Sequence, residues 1–478
     1  MTRAAWIAGR PWTGGEGAQV RNPYDGSVVA THAVPDDAAV EEAVAAAWAV
    51  RAEAARTSAA TRAAALDHVS RTIDERSEEF AQLIVAENGK PIRWARAEVG
   101  RAVSTFRWAA EEARRWSGDL QRLDTDPAAA GRLAVVRRFP TGPVLGIAPF
   151  NFPLNLVAHK VAPALAVGAS IIIKPAPATP LTALLLGEVL AGTDLPAGMW
   201  SVLPIGNDAT AALAGDPRLP IISFTGSDTV GYAIARAHAS KYVVLELGGN
   251  AAAVVLADWS SDTDLQWAAD RIATFSNYQA GQSCISVQRV FVDASLRDRF
   301  EPLLVAAVEA LATGEPGDEA TVVGPVINEA AAQRIEAWVA EAVEGGARLL
   351  TGGTRAGTSV APTVLADAPA QAKVCTEEVF GPVMVLSTVF GAEGAFAAVN
   401  DSRFGLQAGV FTHDAAIAFR AHAELEVGGV IIGDVPSFRA DQMPYGGVKA
   451  SGTGREGVRS AMLDLTHERV LVLTGLTL

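Results

Sequence analysis

From Pro143 onward the chain alternates short, almost uninterrupted apolar runs with helical segments, and this alternation limits its fold more than any other feature. Val144-Leu-Gly-Ile147, Ile171-Ile-Ile173, Ser201-Val-Leu203, Ile221-Ile-Ser-Phe224 and Val243-Val-Leu245 read as strands, with helices such as Leu181 to Leu190 between them. Strands that are apolar on both faces need cover on both faces, which predicts a parallel sheet flanked by helices. In such sheets ligands bind beyond the carboxyl ends of the strands. The sequence places Asn151, Lys174, Gly206 and Thr225-Gly-Ser227 there. A second alternation, from Ala251 to about Leu463, predicts a second α/β domain.

The flanks read differently. Residues 1–35 are strand-like runs broken by Gly and Pro, and Pro35-Asp-Asp is a helix start. Leu66, Val69 and Ile73 form one apolar stripe, as do Phe80, Leu83 and Ile84; Gly89-Lys-Pro91 separates that helix from one running to about Trp116. Residues 118–139 suit a protruding hairpin, and Val470-Leu-Val-Leu473 a strand that pairs outside its own domain. At 478 residues the chain holds roughly three domain-sized units.

Several classes are disfavoured. The net charge of −14 is spread along the chain, which argues against nucleic acid. Two cysteines, Cys284 and Cys375, and scattered histidines suit neither a disulfide framework nor a metal site. The N-terminal residues lack the apolar core of a signal peptide, and His159 and Lys160 interrupt the most apolar stretch, Leu154 to Ile173. The expected setting is cytoplasmic, without a membrane partner.

Two segments carry candidate chemistry. Glu246 closes the run Tyr242-Val-Val-Leu245 and is followed by Gly248 and Gly249 after one residue; Cys284 sits in a loop, Gly281-Gln-Ser-Cys284, ahead of a β-branched run. A thiolate and a carboxylate able to activate water suffice to form and hydrolyse a thioester. The same two segments suit a buried structural cysteine and a salt-bridged glutamate equally well. Gly452-Thr-Gly454-Arg-Glu-Gly457 matches the dinucleotide fingerprint by letter, but no apolar strand precedes it and the chain ends too soon for a βαβ unit, so it is not read as a phosphate loop.

Seven motifs then occur in one order: Pro149-Phe-Asn151-Phe-Pro153, Lys174-Pro-Ala176, Phe224-Thr-Gly-Ser227, Glu246-Leu-Gly-Gly249, Gly281-Gln-Ser-Cys284, Glu378-Val-Phe-Gly-Pro382 and Pro444-Tyr-Gly-Gly-Val-Lys449. Together they resemble the NAD(P)-dependent aldehyde dehydrogenase superfamily, of the hydrolytic kind, over about residues 140–457. The resemblance implies an α/β fold with a Rossmann-like cofactor-binding domain (1–117 and 140–250) and a catalytic domain (251–457). A small β element (118–139 and 465–478) would join subunits into a homodimer or homotetramer.

By the same resemblance Cys284 is the nucleophile, Asn151 with the Cys284 N–H holds the oxyanion, and Glu246 activates water. Glu456 matches a second carboxylate able to relay the proton; a salt bridge to Arg455 is its structural alternative. Lys174, Gly206, Gly226, Ser227, Gly231, Glu378 and Phe380 match positions around NAD or NADP. Where NAD-preferring members often carry a Glu, this chain has Pro177, which leaves the choice of cofactor open. Arg439 lies in the loop before Tyr445, and Arg107 on a helix matched to the substrate entrance; both are candidates to bind a small hydroxylated or anionic aldehyde. A plain ion pair of Arg439 with Asp434 or Asp441 is the alternative. The rival functions are a coenzyme-A-acylating semialdehyde dehydrogenase, whose members commonly lack the Glu matched by Glu246, and a non-catalytic binding protein.

Overall fold

A computed structural model describes residues 2–477; residues 1 and 478, the outer ends of two of the expected domain ranges, lie outside the described residues. Five parallel strands form the centre of an eight-stranded sheet. In spatial order they are Tyr242–Glu246, Ile221–Thr225, Val144–Ile147, Ile171–Lys174 and Trp200–Val202. The order reverses between Val144–Ile147 and Ile221–Thr225, the first and fourth of the five in sequence. A crevice therefore opens beyond their carboxyl ends, at Ala148–Asn151 on one side and Gly226–Ser227 on the other. The apolar runs are apolar because both faces are covered: Ile171, Ile172 and Ile173 are all buried.

Helices Asp37–Arg56, Ala59–Glu75, Ser77–Asn88 and Ile92–Arg115 precede this sheet. Asp36 caps the first through the Ala39 N–H, as the Pro35-Asp-Asp pattern predicts. Leu66, Val69, Ile73, Phe80 and Ile84 enter one core with the helix Asn155–Val167. Gly89, at φ 72°, ends Ser77–Asn88 in the left-handed region, where a side chain would also meet Pro325.

The second sheet has seven strands, in the order Arg348–Thr351, Thr363–Ala366, Val383–Val389, Arg289–Asp293, Ala252–Val255, Gln407–Phe411 and Gly429–Ile432. All pair in parallel except the first. A third sheet joins Thr466–Leu473 to the hairpin strands Leu133–Pro140 and Asp119–Arg122.

One short strand crosses the expected boundary between the α/β units. Gly452–Thr453, inside the range read as catalytic, pairs antiparallel with Tyr242–Glu246 of the first sheet and sets Gly452 opposite Glu246. The glycines of this G-x-G-x-x-G segment serve backbone geometry: Gly452, Gly454 and Gly457 have φ of 129°, 85° and 89°. No helix among the described residues is long and apolar enough to cross a membrane.

Candidate active site

Cys284 follows a turn with an unusual backbone. Gln279, Ala280 and Gly281 are successively left-handed, at φ 56°, 52° and 69°. Only the last is a glycine, and a Cβ there would lie 2.0 Å from the Gly381 carbonyl oxygen. At Gln279 the strain is held by tertiary hydrogen bonds, its Nε2 donating to Asn88 Oδ1 (2.9 Å) and to the Asn151 carbonyl (2.6 Å), and Ala280 is buried in an apolar core with Val326 and Val379. Gln282 Oε1 in turn accepts from the Ile327 N–H at 2.8 Å. Thus the cysteine loop and the Asn151 backbone are fixed to each other.

Asn151 lies beyond the first parallel strand. Its Nδ2 donates to the Gln282 carbonyl at 3.0 Å, which fixes the amide beside the cysteine loop. Cys284 Sγ lies 2.8 Å from the Tyr445 hydroxyl. Burial pushes the thiol up to about 12, although the Tyr445 hydrogen bond and Arg439 act the other way.

Glu246 is buried at the end of its strand, and among the described residues neither carboxylate oxygen has a hydrogen-bond partner. Burial, and then the neighbouring Glu456, raise it well above the usual carboxylate range. For Glu456 burial also works upward, but Arg439, His159 and Lys160 outweigh it and hold this carboxylate low. The two acids are thus pushed in opposite directions, Glu246 toward its neutral form and Glu456 toward its charged one. Glu456 is placed by an isolated antiparallel bridge to Tyr445, in which each N–H donates to the other's carbonyl (2.9 and 2.6 Å).

The ion pairs weighed as alternatives, Glu456 with Arg455 and Arg439 with Asp434 or Asp441, do not form. Arg455 Nη1 donates to the Gly447 and Gly454 carbonyls, and Asp434 is held by Arg271. Arg439 instead donates to Glu456 Oε2 (2.8 Å), contacts His159 Nε2 (3.2 Å) and lies 4.0 Å over the Tyr445 ring. Asp441 accepts from Arg101 Nε and Nη2 and approaches His159. Burial and Arg439 bring His159 down to about 4, so it is neutral near pH 7.

Two cavities meet at Cys284, Glu246 and Thr225. The larger, about 380 Å³, spans the topological switch point and is lined by Asn151, Gly226, Ser227, Glu378 and Phe380 among others. The smaller, about 30 Å³, lies on the side of Arg101, Tyr278, Arg439, Tyr445 and Glu456. Arg107 is exposed, sits beside the ring of Trp108 and lines neither cavity; Arg101, on the same helix, does. Sequence reasoning did not assign Arg101, Tyr445, His159, Lys160 or Asp441.

The larger cavity has features that suit a dinucleotide. Ser227 caps the helix Asp228–Ala237 without a side-chain hydrogen bond; the Thr229 N–H donates to Asp228 Oδ1 at 2.8 Å, and the other first-turn N–H groups remain for a phosphate. Gly206 stands likewise at the start of Asn207–Gly215, and a side chain there would meet nothing. Lys174 is buried without an acid beside it, and burial alone brings it down to about 8. Glu378 accepts from the Gly249 N–H at 3.0 Å and is pushed up to about 7 by burial. Phe380, at φ 48°, meets Phe150 edge to face at 5.8 Å. Gly231 also has a packing reason to be glycine: a Cβ would lie 2.5 Å from Leu247 Cδ2, so its bareness lets the helix pack on the sheet. Among the described residues no group of three or more His, Cys, Asp or Glu could hold a metal ion.

Comparison with known proteins agrees with this geometry. The Aldehyde dehydrogenase family model matches residues 12–471. The chain is 43% identical to the 3-sulfolactaldehyde dehydrogenase of Priestia megaterium over 399 residues, 83% of each protein. Its structure is similar to that of aldehyde dehydrogenase 21 from Physcomitrella patens, in complex with the reaction product succinate. The TM-score is 0.97 at 42% identity, covering 99% of this chain and 98% of that one. NADP-dependent glyceraldehyde-3-phosphate dehydrogenase from Bacillus halodurans C-125, complexed with NADP, is similar at a TM-score of 0.94 and 33% identity, covering 99% of both.

Proposed function

The chain belongs to the aldehyde dehydrogenase family, and on that premise we propose that Cys284, Asn151, Glu246 and Glu456 divide between them the oxidation of an aldehyde to its carboxylic acid. The reaction uses NAD or NADP. The observation that carries the assignment is convergence: Cys284, Asn151 and Glu246 line one cavity at the carboxyl ends of the parallel strands.

Cys284 Sγ attacks the aldehyde carbon to give a thiohemiacetal. The charge that develops on the oxygen is met by the Cys284 N–H and by Asn151 Nδ2, whose amide is already oriented by Gln282. The nicotinamide supplies the hydride acceptor. Region 1–117 and 140–250 would hold it through Gly226 and Ser227 at the pyrophosphate and Lys174 at the adenosine ribose, and region 251–457 would add Glu378 at the nicotinamide ribose with Phe380 packed nearby. The resulting thioester is hydrolysed by water that Glu246 activates, and Glu456 takes the proton onward. Region 251–457 carries the nucleophile, and 118–139 with 465–478 joins subunits.

The substrate is a small anionic or hydroxylated aldehyde. The chamber on the far side of Cys284 is small and has Arg101 and Arg439 in its wall. Relatives named for 3-sulfolactaldehyde and lactaldehyde, and a similar structure holding succinate, suit the same class. An anionic group would meet Arg101 first, because Arg101 is the more exposed of the two (29% against 5%) and, among the described residues, its Nη1 makes no hydrogen bond. Acyl transfer to coenzyme A is disfavoured because Glu246 is present and faces the cavity.

The test replaces each cysteine in turn. Cys284→Ala should abolish aldehyde oxidation and keep cofactor binding. Cys375→Ala should keep activity, because Cys375 packs at the edge of a different core. A folded Cys284→Ala enzyme with undiminished turnover would overturn the reading.

A further inference from the structure

Tyr445 is 4% exposed, and its hydroxyl makes one hydrogen bond among the described residues, to Cys284 Sγ at 2.8 Å. A thiol sulfur is a weak acceptor, so a buried phenol hydroxyl aimed at it is poorly satisfied. A thiolate is a charged acceptor, and a hydrogen bond to it is roughly twice as strong. The contact therefore favours one state of Cys284 over the other. The placement is not incidental: the Tyr445 backbone is held by the same two-bond bridge that places Glu456, and the Arg439 guanidinium lies 4.0 Å over the ring. A cation over the ring draws electron density from the phenol and makes its O–H a better donor.

We propose that Tyr445 is a catalytic residue whose hydroxyl donates to Cys284 Sγ, stabilising the thiolate before attack and again when the thioester breaks. This rests on the reading of Cys284 as nucleophile. In the first step the thiolate forms the S–C bond as the carbonyl π pair moves to oxygen, and Tyr445 loses its charged acceptor. In hydrolysis, water forms the new C–O bond and its proton passes to Glu246. The C–S bond then breaks with its pair on sulfur, and the Tyr445 O–H is again beside a thiolate. Tyr445 keeps its proton throughout. Arg439 binds both Glu456 and the Tyr445 ring, so one cation serves the two half-reactions.

The test reads the thiolate directly. The rate of Cys284 alkylation by iodoacetamide is followed against pH in the full-length enzyme, with peptide mass spectrometry to separate Cys284 from Cys375. The other ionisable groups around Cys284 are Glu246, Glu378, Glu456, Tyr278, Arg101, Arg334 and Arg439, and none is altered in the variant. Because burial holds this thiol high, the reading is the alkylation rate at a fixed pH below the inflection. Tyr445→Phe keeps the ring and should slow alkylation at neutral pH at least about tenfold, the equivalent of one pH unit. Replacing Tyr445 by 3-fluorotyrosine, a more acidic phenol of nearly the same size, should speed it. Identical rates in wild type and both variants overturn the proposal. The outcomes also separate the two readings. If alkylated Cys284 leaves the enzyme fully active, the nucleophile assignment itself fails. If alkylation kills activity at the same rate in wild type and variants, Tyr445 alone loses its role.

Discussion

Arg439 Nη2 lies 2.8 Å from Glu456 Oε2, and the two side chains are only 5% and 6% exposed. Because Glu246 shares the site without a partner, this ion pair decides which of the two carboxylates carries the charge. The pair favours the charged form of Glu456, whereas burial and Glu456 favour the neutral form of Glu246, which must lose its proton before it can accept one from water.

Arg439→Met should therefore impair oxidation of neutral and anionic aldehydes alike. Removing one partner of a buried pair also costs about 3–5 kcal/mol of stability, so the melting temperature should fall. Arg101→Met should act differently: a raised KM for an anionic aldehyde, with little change for a neutral one of similar size. Steady-state kinetics on matched substrates check both. An Arg439 effect confined to the anion would mean that it binds substrate rather than tuning the carboxylates.

Glu246→Gln should reduce cofactor once per active site and then stall as the thioester. Stopped-flow absorbance should show a burst followed by a steady rate at least about a hundredfold below wild type. In the wild type the hydrolysis limb should rise with pH, since burial and Glu456 raise the Glu246 carboxyl and water activation needs it ionised. That limb should vanish in Glu246→Gln. Undiminished turnover would remove Glu246 from the mechanism.

The sheet was legible because burial on both faces writes itself into each strand: Ile171–Ile173 and Val144–Ile147 admit no other reading. Glu246 and Cys284 stood out through their local context, a carboxylate closing an apolar strand and a cysteine in a loop of Gly, Gln and Ser. The partner of Arg439 was not legible. Asp434 and Asp441 lie close in sequence, but Arg271 takes the first and Arg101 with His159 the second. Glu456 arrives through a bridge to Tyr445, a tertiary relation with no local signature. His159 and Lys160 read as interruptions of an apolar run. Their partners, Asp441 for one and Ser223 with Thr225 for the other, come from distant segments. Left-handed Gln279 and Ala280 carry no residue-type signal, because tertiary contacts rather than glycine hold them.

Cofactor choice follows from Lys174 and Pro177. Lys174 is shifted by burial alone, so no acid stands close enough to repel a 2′-phosphate from it. NADP should bind at least as tightly as NAD, measured by fluorescence titration. Lys174→Met should weaken NADP more than NAD, since only the former loses a charge partner. Binding of NAD alone would require an acid elsewhere at the ribose.

Glu378 links pH to stability. Burial raises its folded-state pKa to about 7 from the ordinary 4.5. Between those values the folded protein keeps a proton that the unfolded chain has released, so stability falls as pH rises through this window. The full effect is about 3 kcal/mol, complete above the folded value and absent below the unfolded one. Glu378→Gln keeps an acceptor for the Gly249 N–H and lacks the ionisation. Its stability relative to wild type should therefore grow by about that amount from pH 4.5 to pH 7, as read by urea denaturation. A difference independent of pH would show that Glu378 ionises normally.

The strand Thr466–Leu473 bears on assembly. Val470, Leu471, Val472 and Leu473 are 56%, 58%, 47% and 39% exposed, and Leu120 across the same three-stranded sheet is 66% exposed. Consecutive apolar residues on an edge strand point to both faces, so an isolated subunit wets both and leaves one row of backbone groups without partners. A second copy that continues the sheet would satisfy that row and cover the faces together, which a helix packed on one face alone would not. The enzyme should therefore be a dimer or tetramer at micromolar concentration by light scattering. Val470→Lys together with Val472→Lys places two charges on one face of the strand and should shift the mass toward the monomer. Neither residue lines the cavities at Cys284, so monomers should retain cofactor binding even if they are less stable. A monomeric wild type would leave this apolar edge without a reason.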